Sequence, residues 1–365
     1  MFRHPMTSFS LRNASGRSRL LGTTAVAVMA LGSAGAAHAG ACSSPFVTGD
    51  VFASVGSSTV DVFTPTGTLV CSMNDASGAT FTTGSGFDSA GNFYVTNFSS
   101  GTVSKFNNTG GLVNSSFISS NNTPESIDNQ STGFYAGLSN VGGPGAALIN
   151  QYNTSTGVLT HSYSVTGGNF TGGTDWTDTY NKTTGQVIYD GEGTEILSAI
   201  LNPNGSTTQL VDFSSAATDA ALTHIFALRT IPSGAFAGDV LVANSIDAVL
   251  LNAAGNIIKT YTLPGDGGLD FSLNLDPDGT DFWTGDGVSD NIWEVNIATG
   301  AIVEQWGTGT GPSTLYGVSV FGELQNGGSP PPPPGPPAVP EPASLALFGT
   351  ALAGLGALRR RRKAS

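Results

Sequence analysis

The sequence predicts an all-β fold, a six-bladed β-propeller closed by its C-terminal strand. Its central region alternates apolar and polar residues in short runs and lacks long stretches with a period of 3.6 residues. A turn made of a small or amide residue followed by glycine recurs after such runs. The spacing of its glycines ranges from 43 residues (Gly67 to Gly110) to 50 residues (Gly205 to Gly255). This period is typical of one four-stranded blade. The six glycines are Gly67, Gly110, Gly157, Gly205, Gly255 and Gly300.

The two ends of the repeat array complement each other. The first repeat has alternating runs at 51–55 and 59–63 but no innermost strand, whereas 316–321 is a single alternating strand without partners. Pairing the two completes a sixth blade and leaves no bare strand edge, which would otherwise invite aggregation. A seven-bladed ring or an open β-solenoid is the alternative, since only six turns are visible.

Two segments carry a blade signature. Residues 87–95 read Phe-Asp-Ser-Ala-Gly-Asn-Phe-Tyr-Val, and residues 275–283 repeat the pattern as Leu-Asp-Pro-Asp-Gly-Thr-Asp-Phe-Trp. They resemble the repeats of bacterial NHL-like six-bladed propellers, and the other blades match loosely. The resemblance implies a propeller over 46–323 and names no ligand.

The N-terminus has the three parts of a secretion signal. Four arginines between Arg3 and Arg19 form a basic region without acidic residues, an apolar run follows at 20–31, and Ala37-His38-Ala39 offers small residues at a cleavage site. The apolar run is too short for a permanent membrane span. We expect residues 1–39 to be a signal peptide removed by signal peptidase. A lipoprotein with Cys42 lipidated is the alternative, although Ala39 stands three positions before that cysteine where a leucine is usual.

The C-terminus also has an ordered set of parts. Residues 327–338 form a Gly/Pro-rich linker, which favours an extended polyproline spacer. The motif Val339, Pro340, Glu341, Pro342 follows. Residues 343–358 carry no charge and are predicted to form a short transmembrane helix. A basic stop signal closes the chain and would remain on the cytoplasmic side: Arg359, Arg360, Arg361, Arg362 and Lys363.

This order of motif, apolar helix and basic cluster over 339–365 resembles the PEP-CTERM sorting signal of Gram-negative bacteria. The resemblance implies that exosortase, a membrane-embedded protease or transpeptidase, is a partner and processes the chain near the Pro-Glu-Pro motif. The protein would be anchored in the membrane through its C-terminus before processing, then reach the cell surface or medium. An ordinary membrane anchor would explain the helix and the arginines but not the motif.

The charge of the propeller region excludes one class of partner. Residues 46–323 hold four basic and 25 acidic residues, a formal net charge of −21. A body this acidic repels phosphate backbones, so we expect no nucleic-acid binding. The charge favours solubility and could attract divalent cations.

Cys42 and Cys71 are the two cysteines of the chain, and in an oxidising compartment we expect them to form a disulfide between the mature N-terminus and the first hairpin.

Polar residues recur where the second strand of several blades ends. We take them as candidate residues of the mouth of the central channel: Asn97, Asp190, Glu192, Asn244 and Asp286. Related lactonases of the gluconolactonase type hold a divalent metal there with a Glu, Asn and Asp set, which implies Ca²⁺ or another divalent cation as a candidate cofactor. The alternative is that these side chains end strands and start turns. No cofactor is established by the sequence, and no residue matches a lactonase motif well enough to be assigned a catalytic role.

Other catalytic patterns are missing from the sequence. Only His161 and His224 remain after removal of the leader, without the spacing of metal ligands. No Gly-x-Ser-x-Gly motif occurs. The acidic turn 276–281 lacks the ligand order of an EF-hand. The sequence therefore favours a non-catalytic surface or extracellular-matrix protein whose propeller meets a polysaccharide, a cation or a surface protein. A metal-dependent lactonase or lyase is the alternative.

Overall fold

The computed structural model describes residues 41–324, apart from 120–122, 131–132, 140–146, 171–173, 175, 182–183 and 211. The predicted signal peptide (1–39), the linker (327–338) and the sorting region (339–365) lie outside the described residues. Within the described part, no helix is long and apolar enough to cross a membrane.

The described residues form 24 strands arranged in six four-stranded antiparallel sheets, which we call blades 1 to 6. Blade 1 contains β1 (Val51–Ser54), β2 (Thr59–Phe63) and β3 (Leu69–Asn74), and blade 2 contains β4 (Thr82–Phe87), β5 (Phe93–Asn97), β6 (Thr102–Phe106) and β7 (Leu112–Ser119). Blade 3 contains β8 (Thr123–Gln130), β9 (Gly133–Ser139), β10 (Ala147–Tyr152) and β11 (Leu159–Val165). Blade 4 contains β12 (Trp176–Asn181), β13 (Gln186–Asp190), β14 (Leu197–Leu201) and β15 (Thr207–Gln209).

Blades 5 and 6 complete the array. Blade 5 contains β16 (Ile225–Thr230), β17 (Val240–Asn244), β18 (Asp247–Leu251) and β19 (Ile257–Tyr261), and blade 6 contains β20 (Asp270–Leu275), β21 (Asp281–Asp286), β22 (Asn291–Asn296) and β23 (Ile302–Gly307). The last strand, β24 (Gly317–Val320), belongs to blade 1. A helix of four residues, α1 (Ala216–Asp219), precedes blade 5.

The C-terminal strand closes the ring. β24 pairs antiparallel with β1, placing Val320 opposite Val51 and Gly317 opposite Ser54. Five blades are formed from consecutive strands, and blade 1 combines the two ends of the array. The inner strands β4, β8, β12, β16, β20 and β24 contact one another around the ring. The all-β propeller prediction is therefore confirmed.

Turn glycines set the hairpins of each repeat. Gly67 has a left-handed φ of 76°, and its N–H donates to the carbonyl of Thr64 at 2.9 Å. The outer strand of blade 6 packs against this turn, because a Cβ added at Gly67 would lie 2.5 Å from Cγ of Trp306. Glycine is thus required here both for its conformation and for its small volume.

Aromatic side chains fill the spaces between blades. Trp283 and Trp293 in blade 6 are fully buried. Between blades 1 and 2, Phe52 stacks on Phe93 with ring centroids 4.9 Å apart. Buried rings of this size contribute a large share of the apolar area removed from water.

A disulfide joins Cys42 to Cys71, with their Cα atoms 5.0 Å apart. Next to it, Ala41 forms an isolated parallel bridge with Ser72 in β3. The first described residues are thus fixed to the third strand of blade 1.

Candidate functional site

The second strands of four blades end in the polar residues predicted from the sequence. Asn97, Asp190, Asn244 and Asp286 are the last residues of β5, β13, β17 and β21. They therefore lie on one face of the ring, the face where the inner strands begin, which we call the entry face. All four are at most 3 % exposed, so they lie inside the blades and not on an open surface.

Two of these residues hold the segment that leads into their own blade. The amide nitrogen of Asn97 donates to Oδ2 of Asp75 at 2.8 Å, and Asp75 lies between β3 and β4. The amide oxygen of Asn244 accepts from the backbone N–H of Thr223 at 2.7 Å, just before β16. These side chains position the connections between blades, as a side chain that ends a strand and starts a turn would.

Asp190 and Glu192 lie together in blade 4. Oδ1 of Asp190 accepts from the backbone N–H of Glu192 at 2.8 Å, and Glu192 has a left-handed φ of 57°. The structure does not bring this pair together with Asp286, which belongs to blade 6.

The carboxylate of Asp286 is held by backbone N–H groups. Oδ2 accepts from Gly267 at 2.7 Å and from Ser289 at 2.8 Å, and Oδ1 accepts from Leu269 at 2.9 Å and from Val288 at 3.0 Å. Burial raises its pKa, but the hydrogen bonds from Ser289, Val288 and Gly267 outweigh burial and leave the pKa below its usual value. Asp286 is therefore an anionic carboxylate of fixed orientation.

Asp286 belongs to a cluster of three carboxylates at the entry face, Asp266, Asp270 and Asp286, which we call the aspartate cluster. One oxygen from each lies within 4.8 Å of the other two. Asp266 lies in the connection from blade 5 to blade 6, and Asp270 begins β20 directly opposite Asp286 in β21. Among the described residues, this is the group of side chains with the geometry to hold a metal ion.

Asp270 is the unusual member of the aspartate cluster. It is 0 % exposed, and neither carboxylate oxygen has a hydrogen-bond partner among the described residues. Burial, and then the carboxylates of Asp266, Asp286 and Asp247, raise the pKa of Asp270 well above its usual value. Like charges facing each other across neighbouring strands destabilise a sheet.

A glycine pair brings the connection over the aspartate cluster. A Cβ at Gly267 would lie 2.6 Å from Cβ of Val288 and 2.9 Å from Oδ2 of Asp286. The N–H of Gly268 donates to Oδ1 of Asp266 at 2.6 Å. Only a residue without a side chain fits at 267, so the sequence Asp266-Gly267-Gly268 places the first carboxylate above the other two.

Sequence reasoning named Asp286 as a candidate residue of the channel mouth and did not name Asp266 or Asp270. The available signal was the position of Asp270 in its blade. The inner strands of the other blades begin with Thr82, Thr123, Trp176, Ile225 and Gly317, none of which is charged. Comparing blades at this position would have singled out the acidic residue.

The central channel is narrow. Residues of the inner strands, among them Ser85, Ser126, Phe271 and Asn274, enclose a cavity of about 30 Å³. Such a volume accommodates one or two water molecules. None of the five residues predicted for the channel mouth lines this cavity.

A wider groove of about 830 Å³ lies between blades 4 and 5. Amide and hydroxyl side chains of Gln186, Gln209, Ser198 and Thr230 line it, together with the ring of Phe213. We call it the interblade groove.

Comparison with known proteins identifies the C-terminal region. Residues 338–362 match the PEP-CTERM protein-sorting motif. The chain carries an exosortase sorting signal. The PEP-CTERM resemblance of the tail is thus confirmed, and the motif marks an exported protein with a sorting tail that is anchored in the membrane. No curated protein sequence matches the chain.

Several solved structures resemble this chain in fold. A chain in the crystal structure of a nidogen/laminin complex is 13 % identical, with a TM-score of 0.50 over 74 % of this chain and 97 % of that chain. A functionally unknown protein from Desulfotomaculum acetoxidans is 14 % identical, with a TM-score of 0.48 over 74 % and 84 %. Virginiamycin B lyase from Staphylococcus aureus is 12 % identical, with a TM-score of 0.43 over 62 % and 69 %. These likenesses concern the fold and not the activity.

Proposed function

We propose that this protein is a non-catalytic binding or structural module of the cell surface or extracellular matrix. Signal peptidase would remove residues 1–39, the propeller at 46–323 would be carried on the linker 327–338, and exosortase would process the chain near Pro340-Glu341-Pro342 in the sorting signal 339–365. The PEP-CTERM motif supports this route.

The observation that carries the non-catalytic role is the size of the central channel. A lactonase-type site at the mouth of the channel would need a pocket of roughly 300–1,000 Å³ with converging polar groups at that position. The channel cavity here is about 30 Å³, and Asn97, Asn244 and Asp286 each form at least one hydrogen bond with a connection between blades.

The interblade groove supports a polysaccharide as the partner. Its volume of about 830 Å³ would accommodate several sugar units. Amide and hydroxyl groups such as those of Gln186 and Thr230 match the hydroxyls of a sugar chain, and the ring of Phe213 offers an apolar face. An extracellular polysaccharide fits this lining better than an anionic partner, because the propeller is strongly acidic.

Sorting is tested by replacing Pro340, Glu341 and Pro342 with alanine. We expect the variant to keep its tail and to accumulate in the membrane, as seen by intact mass and by cell fractionation. Replacing Pro330, Pro331 and Pro332 of the linker in the same way is the matched control and should leave processing unchanged. An unaltered mature mass in the first variant would show that the tail is only an anchor.

Binding is tested by retention of the full chain on the extracellular polysaccharide of the cells that export it. Q186A should reduce retention, whereas D278N, in an exposed turn of blade 6, should not. Equal retention of both variants and of the unmodified chain would remove the groove from the proposal.

A metal-dependent lactonase or lyase is the second candidate, favoured by the aspartate cluster. It predicts that the full chain opens a lactone, from a panel of simple lactones, only when a divalent cation is supplied. Turnover that D270N abolishes would replace the non-catalytic proposal. Cation binding without turnover would leave that proposal in place.

A further inference from the structure

Asp270 occupies a position where the fold does not require a carboxylate. The residue that begins the inner strand is threonine in blades 2 and 3, tryptophan in blade 4, isoleucine in blade 5 and glycine in blade 1. Each of these residues opposes the last residue of the second strand, as Asp270 opposes Asp286. Five blades of the same chain therefore form without a charge here.

Among the described residues, no basic side chain pairs with Asp270. Among the basic residues of the described chain, Arg229 pairs with Glu323, Lys259 donates to the carbonyl of Ala298, and Lys105 lies over the ring of Tyr94. A buried carboxylate without a hydrogen bond or counter-charge is unfavourable. The aspartate cluster thus brings three carboxylates together without a counter-charge from the described residues.

The geometry of the aspartate cluster fits a hard cation. Calcium binds carboxylate oxygens at about 2.3–2.6 Å, so two oxygens on one ion are at most about 5 Å apart. One oxygen from each of the three residues meets this limit, at 4.8 Å or less. Asp270 would bring oxygens free of other bonds, and Asp266 would bring the oxygen that does not accept from Gly268. Both oxygens of Asp286 already accept two backbone N–H groups each, so Asp286 contributes mainly a negative charge of fixed position.

We propose that Asp266, Asp270 and Asp286 bind one calcium ion that fixes the connection between blades 5 and 6 to the entry face. Calcium fits better than magnesium, because calcium accepts irregular coordination, whereas magnesium demands near-octahedral geometry at shorter distances, to which the fixed carboxylate of Asp286 does not adjust. Calcium sites of extracellular modules have dissociation constants of about 10⁻⁴–10⁻³ M, so a site in an exported protein does not need to be tight. The site depends on neither the polysaccharide nor any catalytic activity.

The experiment is calorimetric titration of the full chain with CaCl₂ after removal of metal with a chelator. We expect one ion per chain for the unmodified protein, no binding for D270N and at least a tenfold loss of affinity for D266N. D278N is the matched control, because Asp278 lies in an acidic turn of the same blade. The carboxylate of Asp278 accepts from the backbone N–H of Thr280. D278N should bind calcium as the unmodified chain does.

Thermal unfolding separates calcium binding from a structural role of Asp270. Without metal, D270N should melt at the same temperature as the unmodified chain or higher, because it removes repulsion. With about 1 mM calcium, only the unmodified chain and D278N should gain stability. Four results would each overturn the proposal. The unmodified chain could show no saturable binding up to about 10 mM calcium, or D270N could bind calcium equally well. D270N could also melt at a lower temperature without metal, or the chain could bind MgCl₂ more tightly than CaCl₂.

Discussion

Nε of Arg229 donates to Oε1 of Glu323 at 2.6 Å, joining the inner strand of blade 5 to the residues that follow the closing strand β24. The same carboxylate oxygen accepts from the backbone N–H of Leu275 in blade 6 at 3.1 Å. Burial raises the pKa of Glu323, and the charge of Arg229 opposes this effect. One side chain thus links three blades at the point where the ring closes.

Glu323→Gln should destabilise the propeller. The change removes the carboxylate that Nε of Arg229 contacts in a position that is 16 % exposed, and losing a hydrogen bond between charged groups costs about 1.5–3 kcal/mol. Urea unfolding followed by tryptophan fluorescence measures the loss. The double variant R229M/E323Q should lose less than the two single variants together. A loss under about 0.5 kcal/mol for E323Q would show that the ion pair contributes little to closure.

Glu294 should make stability depend on pH. It lies in β22 opposite Glu304 in β23, and burial, followed by the charges of Asp276, Asp281, Glu304 and Asp278, raises its pKa to about 7. Between the unfolded pKa of 4.5 and the folded pKa the native state binds more protons, so the contribution of Glu294 to stability is fully present below pH 4.5 and is lost as pH rises to about 7.

Glu294→Gln tests this sign. The variant should match the unmodified chain at pH 4.5 and exceed it at pH 8 by about 1–3 kcal/mol in urea unfolding. Glu304→Gln removes one neighbouring charge and should reduce the pH dependence without abolishing it. An advantage of E294Q that is equal at both pH values would contradict the assignment.

The disulfide should stabilise the N-terminal part of blade 1. Cys42 and Cys71 are 29 residues apart in sequence, and closing a loop of this size stabilises a fold by about 2–4 kcal/mol. The C42A/C71A variant should unfold at a lower urea concentration, with its free energy of unfolding reduced by that amount. A reducing agent should lower the free energy of unfolding of the unmodified chain equally. The same agent should not affect the variant; if it does, the loss has another cause.

Gly67→Ala should cost more than Gly78→Ala. Both glycines have left-handed φ angles, 76° and 71°, and alanine in this region costs about 1 kcal/mol. Only Gly67 has a close neighbour, Trp306, whose ring packs against the turn; nothing lies within 4 Å of a Cβ at Gly78. Displacing Trp306 should add about 1–3 kcal/mol in urea unfolding. If both variants lose the same free energy of unfolding, the turn at Gly67 can shift away from Trp306 at no measurable cost.

Much of the fold was predictable because it depends on local patterns. Each hairpin contains its own turn glycine, such as Gly67, and the alternating run before it. The spacing of these hairpins along the sequence therefore indicates the blades. The unpartnered run at 316–321 predicted closure, and the pairing of β24 with β1 has this form. The sorting motif is a contiguous stretch and was visible for the same reason.

The candidate site was predictable only in part. The sequence placed Asp286 and Asn244 on one face, since both end second strands. It did not show that their side chains are buried and hold the connections between blades, because that depends on the path of segments of irregular length.

The sequence by itself determined an acidic all-β propeller with an exosortase sorting signal, since alternation, turn spacing and a contiguous motif are properties of short segments. The tertiary structure decided where the charges meet. Asp266 lies in a connection and Asp270 at a strand start, and only the close approach allowed by Gly267 brings both to Asp286. That approach depends on how blade 6 packs beside blade 5, which no local pattern specifies.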